Sequence, residues 1–265
     1  MVSLGGFYEG YVIDAALGHG GYATVYLAHD AASPDRRVAL KILDDFHRQP
    51  AQIARLQREF DFAHRLDHPH IIKMYECGEG WLAMELVDGG TATKLQSLPD
   101  KLAALAQIAD ALDYAHRLGI VHCDVKPSNI LVSLPFSSRG AVLIDFGVAH
   151  AVAEDVGRRP SHVEASLPYS APEVLRGKAP SAATDEYALA CTAFELITGS
   201  PPFTAATSIE LVDEQLHAPP PKLSRKVRWL PHAFDSIMSK ALAKTPDNRY
   251  DSCGEFIALI TRALR

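Results

Sequence analysis

The apolar pattern of this chain changes period once, near Asp88, and that change constrains the fold more than any other feature. Before it, runs suited to strands recur: Tyr11-Val12-Ile13, Val25-Tyr26-Leu27-Ala28 and Val38-Ala39-Leu40-Lys41-Ile42-Leu43, with a glycine-rich turn at Gly18 to Gly21 between the first two. Shorter strands fit Ile71 to Cys77 and Trp81 to Leu86. A single helical pattern interrupts them, placing Ile53, Leu56, Phe60, Ala63 and Leu66 at three- and four-residue steps until His68-Pro69 stops it. Asp88-Gly89-Gly90 then reads as a flexible break. Beyond it the period is helical: Leu102, Leu105, Ile108, Leu112 and Ala115 share one face of a helix that Gly119 ends. Helices also fit Asp185 to Leu196, Phe234 to Leu242 and Glu255 to Leu264, while Ile130 to Val132 and Val142 to Ile144 are short runs suited to a hairpin. The expectation is an α+β chain with a small β-rich lobe over residues 1–86 and a larger α-helical lobe over 87–265, hinged at Asp88. A length of 265 residues suffices for two lobes around a cleft.

Charge removes several classes of partner. The formal net charge is −6, and acidic residues outnumber basic ones on both sides of Leu86, so neither part offers a cationic face to a phosphate backbone. Nucleic acid is not expected. The segment Tyr187 to Phe194, apolar apart from Thr192, ends at Glu195, far short of the roughly 20 residues of a spanning helix. The first basic residue is Arg36, so the start lacks the charged region of a secretory signal, and the expected location is cytoplasmic, with membrane tethering if the native chain is longer. The four cysteines form no Cys-x-x-Cys pair, which suggests neither a zinc knuckle nor a disulfide framework.

Chemistry-bearing residues follow in a fixed order. Gly18-His19-Gly20-Gly21-Tyr22-Ala23-Thr24-Val25 has the form G-x-G-x-x-A-x-V, in which missing side chains let backbone amides approach phosphate oxygens. A dinucleotide fold would continue such a turn as a helix; here Val25-Tyr26-Leu27 continues as a strand, so the loop is a flap between two strands. Lys41 lies on the next strand, and Glu59 on the following helix is the carboxylate placed to hold its ammonium. Then come His122-Cys123-Asp124-Val125-Lys126-Pro127-Ser128-Asn129, Asp145-Phe146-Gly147 and Ala171-Pro172-Glu173. Taken singly, a Lys-Glu pair reads as a surface bridge and a loop aspartate as a turn former. The ordered set is hard to produce by chance.

On these residues the sequence resembles the eukaryotic-type protein kinase superfamily over nearly its whole length, from about Tyr11 to Arg262. Lys126-Pro127 is similar to the serine/threonine branch, and Ala241 to Tyr250 to bacterial members. The resemblance implies a two-lobed kinase-like fold and transfer of the γ-phosphate of ATP to Ser/Thr hydroxyls of protein substrates, with autophosphorylation and with a homodimer as a candidate assembly. It implies Asp124 as the proton acceptor, Lys126 at the γ-phosphate, Lys41 at the α- and β-phosphates held by Glu59, and Asn129 and Asp145 as ligands of Mg2+ or its substitute Mn2+. Gly18 and Gly20 would cover the phosphates. Val25, Ala39 and Leu131 would sandwich adenine, and backbone groups of Glu85 and Val87 would meet its edge, with Met84 before them. His64, His68 and His70 match the family's His-Pro corner rather than a zinc site. Glu173 with Arg249 would form a buried ion pair, and Asp185 would cap the catalytic-loop backbone.

Three positions depart from the family pattern. Ala23 replaces a glycine of the flap, and Ala190 stands where glycine is common. Cys123 replaces the arginine that usually precedes the catalytic aspartate and grips a phosphorylated activation loop, which a thiol cannot do. Between Asp145 and Glu173 there is no threonine; Ser166 aligns with a residue that bonds the catalytic Asp and Lys, leaving Ser161 as the candidate phosphosite. Activity independent of loop phosphorylation is therefore expected. The rivals are a pseudokinase or nucleotide-binding scaffold, and a small-molecule phosphotransferase, which would not be expected to carry Lys126-Pro127 or Ala171-Pro172-Glu173.

Overall fold

The computed structural model describes residues 3–151 and 164–265. Six strands, β1 (Phe7–Tyr8), β2 (Tyr11–His19), β3 (Ala23–Asp30), β4 (Ser33–Leu43), β5 (Met74–Gly78) and β6 (Trp81–Glu85), form one antiparallel sheet in the order β1-β2-β3-β4-β6-β5. Helix α1 (Pro50–His64) crosses one face of it. The run from Val38 to Leu43 is apolar on both faces apart from Lys41 because both faces of β4 are covered. Val38, Leu40 and Ile42 join Tyr11, Ile13, Tyr26, Trp81 and Ala83 on one side, while Ala39 and Leu43 join Leu56, Phe62, Leu82 and Met84 on the other. Strand alternation puts Lys41 on the face of Ala39 and Leu43, toward α1.

The second lobe is built from α2 (Leu98–Arg117), α5 (Ala182–Thr198), α7 (His232–Ala241) and α8 (Cys253–Leu264), which pack on one another, with the short helices α3 (Phe136–Arg139) and α4 (Pro172–Leu175) and helix α6 (Ser208–His217) around them. α5 is buried along nearly its whole length, from Thr184 to Ile197, which explains its lack of a polar stripe. Between the helices lie two small sheets: β7 (Ile120–Val121) with β10 (His150–Ala151), and β8 (Ile130–Val132) with β9 (Ala141–Leu143), the latter being the hairpin expected from the sequence.

Two local expectations are corrected. Asp88-Gly89-Gly90 is not a loose break: the Gly89 amide donates to Val132 O at 2.9 Å, the Val132 amide donates to Gly90 O at 2.8 Å, and Asp88 Oδ1 accepts the Leu134 amide at 3.0 Å. Glycine is needed for this closeness, since a Cβ at Gly89 would stand 2.3 Å from Val132 O, and Gly90 has φ +82°. Likewise Ile71 does not open β5. It bridges Leu143 in parallel, with Ile72 N donating to Leu143 O and Leu143 N to His70 O, so the segment after α1 is stitched to the second lobe before the strand begins at Met74.

Candidate active site

A cleft of about 960 Å³ runs between the lobes, lined by Gly20, Tyr22 and Val25 of the flap region, Lys41 on β4, Arg55 on α1, and Cys123, Asp124, Lys126, Asp145 and Ser166 from below. The flap is a hairpin tip closed by Gly20 N donating to Ala23 O at 2.8 Å. None of Gly18, Gly20 and Gly21 has a positive φ, so the turn itself does not require glycine. The space a side chain would fill is open at Gly18 and Gly21 and meets only Ala23 O at 3.5 Å at Gly20. Such a loop keeps its backbone bare on the cleft side.

Lys41 Nζ donates to Glu59 Oε2 at 2.6 Å and Oε1 at 2.9 Å, and the two side chains are 11% and 2% exposed. Glu59 sits in the buried stripe of α1 with Leu56, Phe62 and Ala63, so helix packing aims the carboxylate at β4. Burial would lower the lysine pKa, but the charges of Glu59 and Asp145 outweigh it and hold the ammonium above its ordinary value. Asp145 responds in the opposite direction. Burial alone would raise it, and the Lys41 and Arg55 charges keep its carboxyl below the ordinary range.

Below the cleft, Asp124 is the centre of a closed hydrogen-bond set. Lys126 Nζ donates to its Oδ2 at 2.9 Å and Oδ1 at 3.0 Å, Ser166 Oγ to Oδ1 at 2.5 Å, and Asn129 Nδ2 to Oδ2 at 2.9 Å and to the Asp124 carbonyl at 2.8 Å. Lys126 Nζ also donates to Ser166 Oγ at 2.9 Å. The backbone beneath is held against its preference: Cys123 and Asp145 each have φ +66°, a left-handed conformation that costs a non-glycine residue about 1–3 kcal/mol. Asp185, fully buried on α5, pins the first of these. Its Oδ1 accepts the Cys123 amide at 2.7 Å, and its Oδ2 accepts the His122 amide at 2.8 Å and His116 Nε2 at 2.7 Å. The Glu173–Arg249 pair is bidentate at 2.7 and 2.9 Å with both groups buried.

The sequence-predicted residues thus fall into two groups. Gly20, Val25, Lys41, Asp124, Lys126 and Asp145 line one cleft, with Glu59 and Asn129 bonded directly behind it. Gly18, Ala39, Glu85, Val87 and Leu131 lie outside this lining: Gly18 pairs with Val25 at the root of the flap, whereas Ala39 pairs with Met84 across the sheet and Leu131 bridges Thr91, nearer the interlobe connection. The Glu85 amide donates to Lys73 O at 2.9 Å, whereas Val87 has no backbone partner among the described residues. Ser161 lies outside the described residues. Sequence reasoning missed Arg55, although its place four residues before Glu59 on one helix was a signal. It also missed Arg139, which pairs with Glu85 and donates to Pro69 O at 3.0 Å; nothing in its sequence neighbourhood marked it.

Against known families, the model of the protein kinase domain matches residues 11–257. The chain belongs to the protein kinase family. The kinase domain is similar to the serine/threonine-protein kinase PknJ of Mycobacterium bovis, 40% identical over 99% of this chain and 47% of that protein. PknF of Mycobacterium tuberculosis is 38% identical over 95% of this chain and 56% of its own length. The chain therefore spans about half the length of the curated relatives it matches. Among solved structures, the kinase domain of Mycobacterium tuberculosis PknI is 33% identical, with a TM-score of 0.75 over 99% of both chains. The two-lobed fold expected from the sequence is the fold of this family. No helix among the described residues is long and apolar enough to cross a membrane.

Proposed function

We propose that this kinase domain, with its smaller lobe at residues 1–86 and its larger at 87–265, transfers the γ-phosphate of ATP to Ser/Thr hydroxyls of protein substrates. The observation that carries the reading is the convergence of an ion-paired lysine, a hydrogen-bonded aspartate and a second aspartate on one cleft under a bare-backbone flap. In this reading the acceptor oxygen forms a bond to the γ-phosphorus, the bond from that phosphorus to the β–γ bridging oxygen breaks, ADP leaves, and the acceptor proton passes to Asp124. Three donors already hold that carboxylate still, so little reorganisation is left for the reaction. Lys126 would face the γ-phosphate and Lys41 the α- and β-phosphates, while Gly18 and Gly20 cover them. Adenine would lie between Val25, Ala39 and Leu131, with backbone groups of Glu85 and Val87 at its edge.

The donor set fits a hard divalent cation. Asn129 uses Nδ2 on Asp124, which leaves its Oδ1 without a donor among the described residues, and Asp145 accepts a backbone amide only at Oδ1. These two oxygens would hold Mg2+, or Mn2+ in its place; the ion when bound neutralises phosphate charge. Because Cys123 offers no guanidinium to a loop phosphate, we further infer that turnover does not need phosphorylation of Ser161. Radiolabel transfer from ATP to a protein acceptor tests the reading, with Asp124→Asn as the control: equal transfer by both proteins would favour a scaffold. Equal turnover of Ser161→Ala and the parent tests the second inference, and a large loss would overturn it.

A further inference from the structure

Two polar atoms beside the cleft are shut off from solvent and have no hydrogen-bond partner among the described residues: Arg55 Nε and Gln52 Oε1, about one turn apart on α1. Both residues line the cleft. The guanidinium carbon of Arg55 stands 4.8 Å from the ring centroid of Tyr22, at the tip of the flap, and the Lys41 ammonium is 5.8 Å from the same ring. On its other side Arg55 abuts the loop that carries Asp145, since a Cβ added to Gly147 would lie 3.1 Å from Arg55 Nε and 3.3 Å from its Cγ. One side chain on α1 thus touches the flap and the Asp145 loop, one turn from the glutamate that orients Lys41.

We propose that Arg55 is a positioning residue for phosphoryl transfer, holding the flap closed by stacking on Tyr22 and doing so only while α1 stands where Glu59 meets Lys41. The root of the flap is held by Asp44, whose amide donates to Tyr22 O at 3.1 Å and whose carboxylate accepts Thr24 Oγ1 at 3.0 Å and meets His19 Nε2 at 3.1 Å. Across the tip itself Gly18, Gly20 and Gly21 contribute no side chains, and the backbone bond is Gly20 N to Ala23 O. A flat cation over an aromatic ring adds the contact that ties this tip to α1 without blocking the backbone amides beneath. Withdrawal of α1 would carry Arg55 away from Tyr22 and free the flap at the same moment that it breaks the Lys41–Glu59 pair. The inference rests on the phosphotransfer reading for its purpose, although the stack itself can be measured without nucleotide.

Arg55→Met keeps the stem against Gly147 and removes the guanidinium; Tyr22→Leu removes the ring. Exchange of the two hydrogen-bonded amides that close on the flap, Gly20 N to Ala23 O and Asp44 N to Tyr22 O, measured without nucleotide, is expected to quicken by about three- to thirty-fold in each variant, the range set by one cation–π contact. The double variant is expected to be no faster than either single, and Tyr22→Phe, which keeps the ring, to retain protection. Calorimetry with Mg-ATP should show binding weakened by a similar factor, with adenosine affinity unchanged because adenosine, seated at Val25, stops short of the flap tip at Gly20 to Tyr22. Additive effects, unchanged exchange, or equal loss for ATP and adenosine would overturn the proposal. If Arg55→Met does not fold, Tyr22→Leu against Tyr22→Phe decides alone. Failure of the parent protein to bind Mg-ATP would sink the kinase reading but leave the exchange comparison able to uphold or refute the stack.

Discussion

At the scale of single residues the charges of Lys41 and Asp145 are kept by their neighbours, whereas burial raises the pKa of Glu59 above its ordinary value. Lys41 has its pKa raised in the folded protein, so its contribution to stability is full below the unfolded value, about 10, and is lost only as pH rises beyond that. Asp145 has its pKa depressed, so its contribution is present above about 4 and is lost as pH falls below the ordinary carboxylate range. Nothing in this pair titrates between about pH 5 and 10. Lys41 and Asp145 by themselves therefore leave Mg-ATP affinity, measured by calorimetry from about pH 6 to 9, flat; a transition near neutrality would point to another group, first to Glu59, whose pKa burial raises. Replacing Asp124 by Asn leaves the three donors around it but removes the proton acceptor, and the expected loss in kcat is about 10²–10⁴-fold with nucleotide affinity little changed. These residues were legible in the sequence because each belongs to an ordered short motif. Arg55 and Arg139 were not, because their roles depend on which chain segments fold alongside them: the flap tip in one case, and the His-Pro corner and Glu85 in the other.

At the scale of elements, buried polar groups decide how helices seat. Glu186 on α5 is 2% exposed, accepts the Tyr250 amide at one oxygen and has no partner at the other among the described residues. Burial pushes its pKa up to about 8. The folded state therefore holds a proton that the unfolded chain releases above the ordinary glutamate value near 4, and stability falls as pH rises between the two. Glu186→Gln mimics the protonated form and is expected to flatten that decline, gaining on the order of 1–3 kcal/mol at pH 8 in denaturant titrations. Arg249→Ala works the other way. It strands a buried Glu173 carboxylate at the junction of α4 and α5, and a loss of about 3–5 kcal/mol is expected from the same measurement. Most elements were readable in advance from periodicity: α2 and the β8–β9 hairpin lie close to where the pattern put them. The start of β5 was misread because Ile71 and Ile72 look like strand residues, and their β-type partner is Leu143 in the other lobe, a long-range pairing that no local window contains.

For the whole molecule the question is how two lobes stay aligned while the cleft admits and releases its nucleotide. Arg139, in the larger lobe, pairs with Glu85 at the end of the sheet and donates to the carbonyls of Pro69 and Ile71. Arg139→Ala is expected to lower the midpoint of thermal unfolding by about 2–6 °C, the effect of losing roughly 1–2 kcal/mol in a chain of this size. Calorimetric separation of the transition into two steps would mark this arginine as the main interlobe tie. The two-lobed division was legible from the change of period at Asp88. The rigidity of Gly89 and Gly90 was not, since glycines signal looseness until their carbonyls and amides find a partner strand. That anchoring fixes the geometry of any opening. With Gly89 and Gly90 fastened to Val132, and Ile71 and Ile72 to Leu143, the smaller lobe is anchored at both crossings of the chain and pivots about the line between them. Displacement grows with distance from such an axle, so the region beside Val87 barely moves while the flap at the far end sweeps the widest arc. A purine seated near the pivot could keep its grip through the swing, and the phosphate end alone would feel the jaw open.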